Sequence, residues 1–185
     1  LVVHALGGAD VLVTSGGVSV GTHDLVKPLL ESLGTVHVGR VKLRPGKPFT
    51  FATVRASGSR TDGPDGPREQ VKLAFGLPGF PVSSLVTFEV FVRPALRKMQ
   101  GFTQLQRPTL AVRLGFDAKT GPDRTEYHRV TLHREGRELV ALSTGSQSSS
   151  RLMSLAGAHA LVKIPAGGQV VSAGTLVEAM ILTLP

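Results

Sequence analysis

The sequence predicts an α/β domain followed by a small all-β module, and three features predict it. An apolar run at Val11, Leu12 and Val13, a helix-spaced run over residues 25–33 and a β-rich run over 35–43 follow one another as strand, helix, strand. From about residue 104 the pattern changes to five short β-type runs separated by turn residues. Between the first strand and the first helix lies Thr14-Ser15-Gly16-Gly17-Val18-Ser19-Val20-Gly21-Thr22-His23-Asp24. A Gly/Ser turn in that position lets the backbone approach a ligand and aims helix-start N–H groups at negative charge.

The bulk composition agrees. The 185 residues suffice for one substantial core or two modest ones, and 41% hydrophobic content is that of a globular chain. Lys and Arg number 21 against 13 Asp and Glu, a net charge of +8, which favours anionic ligands. Only 5% of residues are aromatic, too few stacking platforms for a nucleic-acid binder, so none is expected as a partner. The absence of cysteine excludes disulfides and thiolate metal sites and suits a reducing, cytoplasmic setting. No apolar run has the length of a membrane span.

In chain order, residues 1–8 read as the tail of a helix. With one strand ahead of the first loop, we expect the chain to enter its α/β domain partway. Residues 11–13 suit a buried parallel strand. Leu25, Val26, Leu29, Leu30 and Leu33 recur at helical spacing, Pro28 fits an early turn, and Gly34 is a natural stop. Strands are expected over 35–43, 49–54 and 71–76, the last two paired, with an exposed loop over 56–69 rich in Gly, Pro, Ser and Asp. The longest helix is expected over 81–100. Pro81 sits in its first position, a core stripe runs through Leu85, Phe88, Val92, Leu96 and Met99, and Pro94 kinks or restarts it. Strands follow over 108–116, 127–133, 139–143, 160–164 and 175–182, with one helical turn within 148–156. The domain boundary is placed so that residues 1–103 form the α/β domain and 104–185 the β domain.

Two further loops carry residue types suited to anions. Arg40 and the run Arg44-Pro45-Gly46-Lys47-Pro48 bring three cations to one stretch stiffened by proline. Gly76-Leu77-Pro78-Gly79-Phe80-Pro81-Val82-Ser83 leads into the long helix and offers a second helix start. The six histidines show no metal-ligand spacing; His23 alone lies in a candidate ligand loop. Arg124, Arg129, Arg134 and Arg137 are expected on a solvated face. Asp10 reads as a strand-start residue.

These three loops, in this order, resemble the molybdenum insertase family: the MoeA proteins, the gephyrin E domain and the plant Cnx E domain. Arg124-Thr125-Glu126-Tyr127-His128-Arg129-Val130 and the run from Thr144 to Ala156 resemble that family's C-terminal module. The resemblance implies a partial three-layer α/β/α molybdopterin-binding domain followed by a barrel-like β domain. It implies a molybdopterin molybdenumtransferase, which inserts molybdate into adenylylated molybdopterin with Mg²⁺ and releases AMP. It also implies a homodimer for the full-length protein. Ser15, Gly16, Gly17, Val18, Ser19 and Gly21 would then cradle the pterin phosphate, and Pro78, Gly79, Pro81 and Ser83 would form the second cradle. Arg40, Arg44 and Lys47 would stabilise charge during transfer, and Asp24 would hold Mg²⁺. The sequence departs from the family at Phe80, where Asn is usual, at Thr22, where a second acid is common, and at Arg40 and Arg44, where Lys is common. A sister adenylyltransferase shares the α/β fold but lacks the β module. A non-catalytic, gephyrin-like scaffold or molybdopterin-binding module remains the alternative.

Overall fold

A computed structural model describes residues 2–18, 25–57 and 69–183. The chain divides into two compact units, Leu1–Val41 with Pro48–Gly79, and Lys42–Lys47 with Phe80–Pro185.

The first unit is a four-stranded mixed sheet with helices on one face. Its elements are α1 (Val2–Gly8), β1 (Val11–Ser15), α2 (Val26–Leu33), β2 (Gly34–Val38), β4 (Thr50–Ser57) and β5 (Glu69–Leu77), with β3 (Leu43–Arg44) belonging to the second unit. Strand order is β1-β5-β4-β2. β1 runs parallel to β5, and β4 pairs antiparallel with both β5 and β2. β1 and β2 therefore run the same way, as the strand–helix–strand reading expects, but the β4–β5 hairpin lies between them. That hairpin extends beyond the expected strands, to Ser57 and back to Glu69; the expected loop between them lies outside the described residues. Leu6, Leu30, Ala52, Val54 and Ala74 form the core under the helices.

Two local expectations need correction. Residues 35–43 are not one strand: β2 ends at Val38, and Leu43–Arg44 pairs elsewhere, parallel to residues 125 and 126. Gly34 does follow α2, but its φ of −176° is extended backbone open to any residue. Glycine is needed there for space, because a Cβ would strike the main chain at the Thr53 carbonyl.

The second unit is built on β6 (Thr109–Leu114), β7 (Ala118–Lys119), β8 (Thr125–Glu135), β9 (Glu138–Ser143), β10 (Ala160–Ile164), β11 (Val170–Val171) and β12 (Leu176–Ile181). The order β10-β12-β6-β9-β8 closes on itself through β8–β10 pairing, giving a five-stranded barrel with β3 added beside β8. Val112, Leu114, Val130, Leu132, Val162 and Ile164 fill its interior, each from the inward-facing phase of its strand. The expected helical turn is a 3₁₀ turn, Leu152–Ser154.

The long helix belongs to this second unit. It runs as α3 (Pro81–Thr87), a π turn (Phe88–Val92) and α4 (Arg93–Met99). Pro94 sits in the first turn of α4, and the π turn precedes it, so the helix restarts where an N–H is missing. Glu89 accepts two bonds from Arg107 at 2.7 and 2.8 Å, Arg93 donates to the Leu105 carbonyl, and Arg97 donates to that of Gln104. These bonds fasten the helix to the segment that enters the barrel. The expected stripe is out of phase. Of its members Val92 is buried, Leu85, Phe88 and Leu96 are half-buried and Met99 is exposed, whereas Val82, Ser83, Val86 and Thr87, outside the stripe, are buried. Thr87 is buried without penalty because its hydroxyl donates to the Ser83 carbonyl at 2.8 Å.

Candidate functional site

In the first unit, β1 and β5 deliver the ends of two loops to each other. Gly16 (φ +87°) and Gly17 (φ +69°) turn the chain through the left-handed region, which favours glycine. The Gly16 N–H donates to the Leu77 carbonyl at 2.9 Å, the Ser15 hydroxyl donates to the Pro78 carbonyl at 3.3 Å, and Val26 N–H donates to the Gly17 carbonyl at 3.0 Å. Gly16 and Gly79 meet backbone to backbone: a Cβ on Gly79 would lie 3.5 Å from the Gly16 Cα. The first and third loops are therefore neighbours, as their composition suggests.

The donors left for a ligand are fewer than the sequence implies. Gly16 N–H is spent on Leu77, while those of Gly17 and Val18 have no partner among the described residues. The Val18 side chain is buried over Gly76, whose missing Cβ makes the room. Thr14, Gly76 and Thr50 stand in one transverse row of the sheet. The hydroxyls of Thr14 and Thr50 are both buried with no partner among the described residues. Buried hydroxyls beneath a positive-φ loop call for a hydrogen-bond partner, and a polar ligand or ordered water at the strand ends would serve. Ser19, Gly21, His23 and Asp24 lie outside the described residues. Asp10 ends its role at the strand start, where its carboxylate accepts from buried Lys72 at 3.3 Å.

In the second unit, the helix-start cradle is also narrower than expected. Phe80 is the N-cap residue, is 59% exposed and makes no side-chain cap. Pro81 has no N–H, that of Val82 is taken by the Ser149 carbonyl, and that of Ser84 by the Phe80 carbonyl. Pro78 is buried in the first unit, and Ser83 in the second. Residues 44–47 lie beside the same helix. Gly46 has φ +121°, and a Cβ there would strike Thr87 Cγ2. Arg40, in the first unit, and Lys47, in the second, are exposed with no ion pair among the described residues.

Arg44 is engaged. Its Nη1 donates to Glu126 Oε1 at 3.2 Å. Glu126 is buried and also accepts the Gly121 N–H at 3.0 Å and pairs through Oε2 with His128 Nε2 at 3.1 Å. Burial alone would push the Glu126 carboxyl up, but the Gly121 N–H, the His128 ring and Arg44 together hold it below the ordinary carboxyl value. A folded-state pKa below the unfolded one gives stability that is present above the ordinary value of 4.5 and lost as pH falls through the folded value. Urea midpoints are expected to fall as pH drops below 4.5, and Glu126→Gln to flatten that slope. The same acid-side slope in the variant would assign it to other carboxyls.

Sequence reasoning missed Arg129. It is fully buried, not solvated, and donates to the carbonyls of Ser146, Gln147 and Ser148 at 3.1–3.3 Å and to the Ser154 hydroxyl at 3.0 Å. Tyr127, Arg129 and Thr131 occupy the outward phase of β8, but residues 144–154 fold over that face and cover it. Burial pushes the guanidinium down to about 10, so it stays charged at neutral pH. Among the described residues no group of three or more His, Cys, Asp or Glu could hold a metal ion, and no helix is long and apolar enough to cross a membrane.

Residues 1–98 match the family model described as a probable molybdopterin binding domain, and residues 111–182 match that of the MoeA C-terminal region (domain IV). The chain is 45% identical over 183 residues to gephyrin of Dictyostelium discoideum, covering 94% of this chain and 26% of that protein. It is 36% identical over 184 residues to the molybdopterin molybdenumtransferase of a Nostoc species, covering 98% of this chain and 39% of that one. A crystal structure of a molybdopterin biosynthesis MoeA protein from a Pyrococcus species superposes with a TM-score of 0.72 at 27% identity, over 100% of this chain and 40% of that one. The chain thus spans between a quarter and two fifths of the length of these relatives. The sequence, the mixed α/β unit and the closed barrel agree with these matches: the chain belongs to the MoeA, gephyrin and Cnx E family and carries its C-terminal, molybdopterin-binding region.

Proposed function

We propose that this chain binds adenylylated molybdopterin and takes part in inserting molybdate into it, with release of AMP, as a molybdopterin molybdenumtransferase. The observation that carries the reading is the loop at Gly16 and Gly17, with two buried hydroxyls beneath it that have no partner among the described residues, in a stretch that matches a molybdopterin-binding model. In this reading Ser15, Gly16, Gly17, Val18, Ser19 and Gly21 surround the pterin phosphate, Gly17 and Val18 supplying free N–H groups. Pro78, Gly79, Pro81 and Ser83 shape the second loop. Arg40, Arg44 and Lys47 are the fixed cations for molybdate and for charge developed in transfer. Asp24 is the carboxylate for Mg²⁺, a hard cation suited to carboxylate, phosphate and water oxygens; bound there, the ion would neutralise phosphate charge. The domain boundary is kept at 103/104, the setting is cytoplasmic, and the full-length protein is a homodimer.

Incubated with adenylylated molybdopterin and passed through a sizing column, the chain is expected to carry pterin fluorescence. Gly16→Val, which forces a branched side chain into a positive φ, should lose it. Molybdate is then expected to trigger AMP release. Free elution of pterin from the unmodified chain would defeat the reading; retention without AMP release would select the scaffold or binding-module alternative instead.

A further inference from the structure

We propose that Glu126 is a positioning residue for Arg44, fixing the direction in which that guanidinium meets an oxyanion. The inference rests on the reading of Arg44 as an oxyanion-binding cation, and it lies wholly within the second unit.

The backbone places Arg44 only coarsely. β3 is two residues long and is held to β8 by the pairs Leu43↔Thr125 and Arg44↔Glu126, with Thr125 N–H donating to the Lys42 carbonyl at 3.3 Å. A half-exposed arginine on so short a strand has many rotamers open to it, and holding one direction costs that freedom. Glu126 removes much of that freedom because it is itself immobilised. Its side chain is 6% exposed against 57% for Arg44. The Gly121 N–H holds one oxygen and His128 the other. His128 in turn stacks on Phe116, with ring planes 10° apart. The Glu126 carboxylate can only accept, so His128 Nε2 donates to it, and the Nδ1 of that ring is buried with no partner among the described residues. Support therefore runs from Phe116 through His128 and Glu126 to Arg44, the arrangement by which outer residues orient a working side chain.

The attachment also leaves the working edge open. Only Nη1 of Arg44 is bonded, and Nε and Nη2 have no partner among the described residues. That pair can grip a tetrahedral oxyanion through two parallel bonds. An opposing effect has to be weighed, since a carboxylate 3.2 Å away reduces the positive field an anion meets. The two effects predict opposite signs. If Glu126 mainly neutralises Arg44, removing its charge tightens oxyanion binding; if it positions Arg44, the same change loosens it.

Two measurements decide. By ¹⁵N relaxation of guanidinium Nε–H signals, Arg44 is expected to be ordered in the unmodified chain and Arg40 averaged. Glu126→Gln should bring Arg44 to the Arg40 level. Equal disorder of the two in the unmodified chain, which needs no variant to fold, or unchanged order in Glu126→Gln, overturns the proposal. By calorimetry with sodium molybdate, Glu126→Gln is expected to weaken binding about tenfold, and to add nothing in an Arg44→Ala background. Tighter binding, or losses that add, overturns it. Absence of molybdate binding by the unmodified chain would strike the oxyanion reading alone, with the relaxation data still deciding whether Glu126 positions Arg44.

Discussion

Arg129→Leu is expected to destabilise the second unit by about 3 kcal/mol. The guanidinium is fully buried, and four donor bonds leave it for three consecutive carbonyls and one hydroxyl. Removing a buried charge relieves a desolvation cost, so an isosteric apolar group is not automatically harmful. Here that relief is outweighed because the partners remain. The carbonyls of Ser146 and Gln147 have no other donor among the described residues, while that of Ser148 keeps the Arg151 N–H at 3.4 Å, and an acceptor left unsatisfied away from water costs about 1–3 kcal/mol. Arg129→Lys should rescue little, since one ammonium cannot span a four-acceptor fork. Urea unfolding followed on the barrel gives the loss. Trypsin cleavage after exposed Arg151 should quicken in step, because the covering segment loses its anchor. A midpoint shift worth under about 1 kcal/mol would mean that the segment is held by its own turns.

The fold was legible wherever the side-chain pattern and the backbone need coincided. The hairpin strands around Phe51 and Phe75 and the barrel strands show a period that has one solution, whereas the wholly apolar run before Ser15 has none: it pairs in parallel as expected, but as an edge strand with Val13 exposed rather than buried. The site's glycine loop was legible for the same reason, since consecutive glycines between strand and helix have few other uses. What stayed hidden depends on partners distant in sequence. Strand order cannot be read from β1 and β2 alone, because nothing local says that a hairpin inserts between them. The burial phase of the long helix was lost because Ser83 and Thr87 are buried, the Thr87 hydroxyl donating back to the Ser83 carbonyl, and because a π turn then shifts the register. Arg129 looked solvated because a strand's outward face is solvated by default; the lid that covers it is a Gly/Ser-rich run whose carbonyls need a donor. Glu126 stands out in the sequence only as part of a motif, and its bond to Arg44 spans 82 residues.

Gly34→Ala is expected to cost the first unit about 2–4 kcal/mol, and the size of the loss separates two reasons for the same glycine. As a helix stop in the left-handed region, glycine would be worth about 1 kcal/mol over alanine. The observed φ of −176° removes that reason. What remains is proximity, since an added Cβ would overlap the Thr53 carbonyl and crowd the Val54 Cα. The obstacle is the main chain of β4, a strand paired on both sides, so it cannot swing aside as a side-chain tip can. Relief requires β2 to move off β4, which breaks the pairing Gly34↔Val54 and Thr35↔Thr53. Alanine and serine should therefore be nearly equally harmful, and asparagine, the usual substitute in a left-handed cap, should be worse than either. If asparagine instead restored most of the stability in thermal unfolding, the cap would be the reason for the glycine and the close approach to Thr53 would carry little weight.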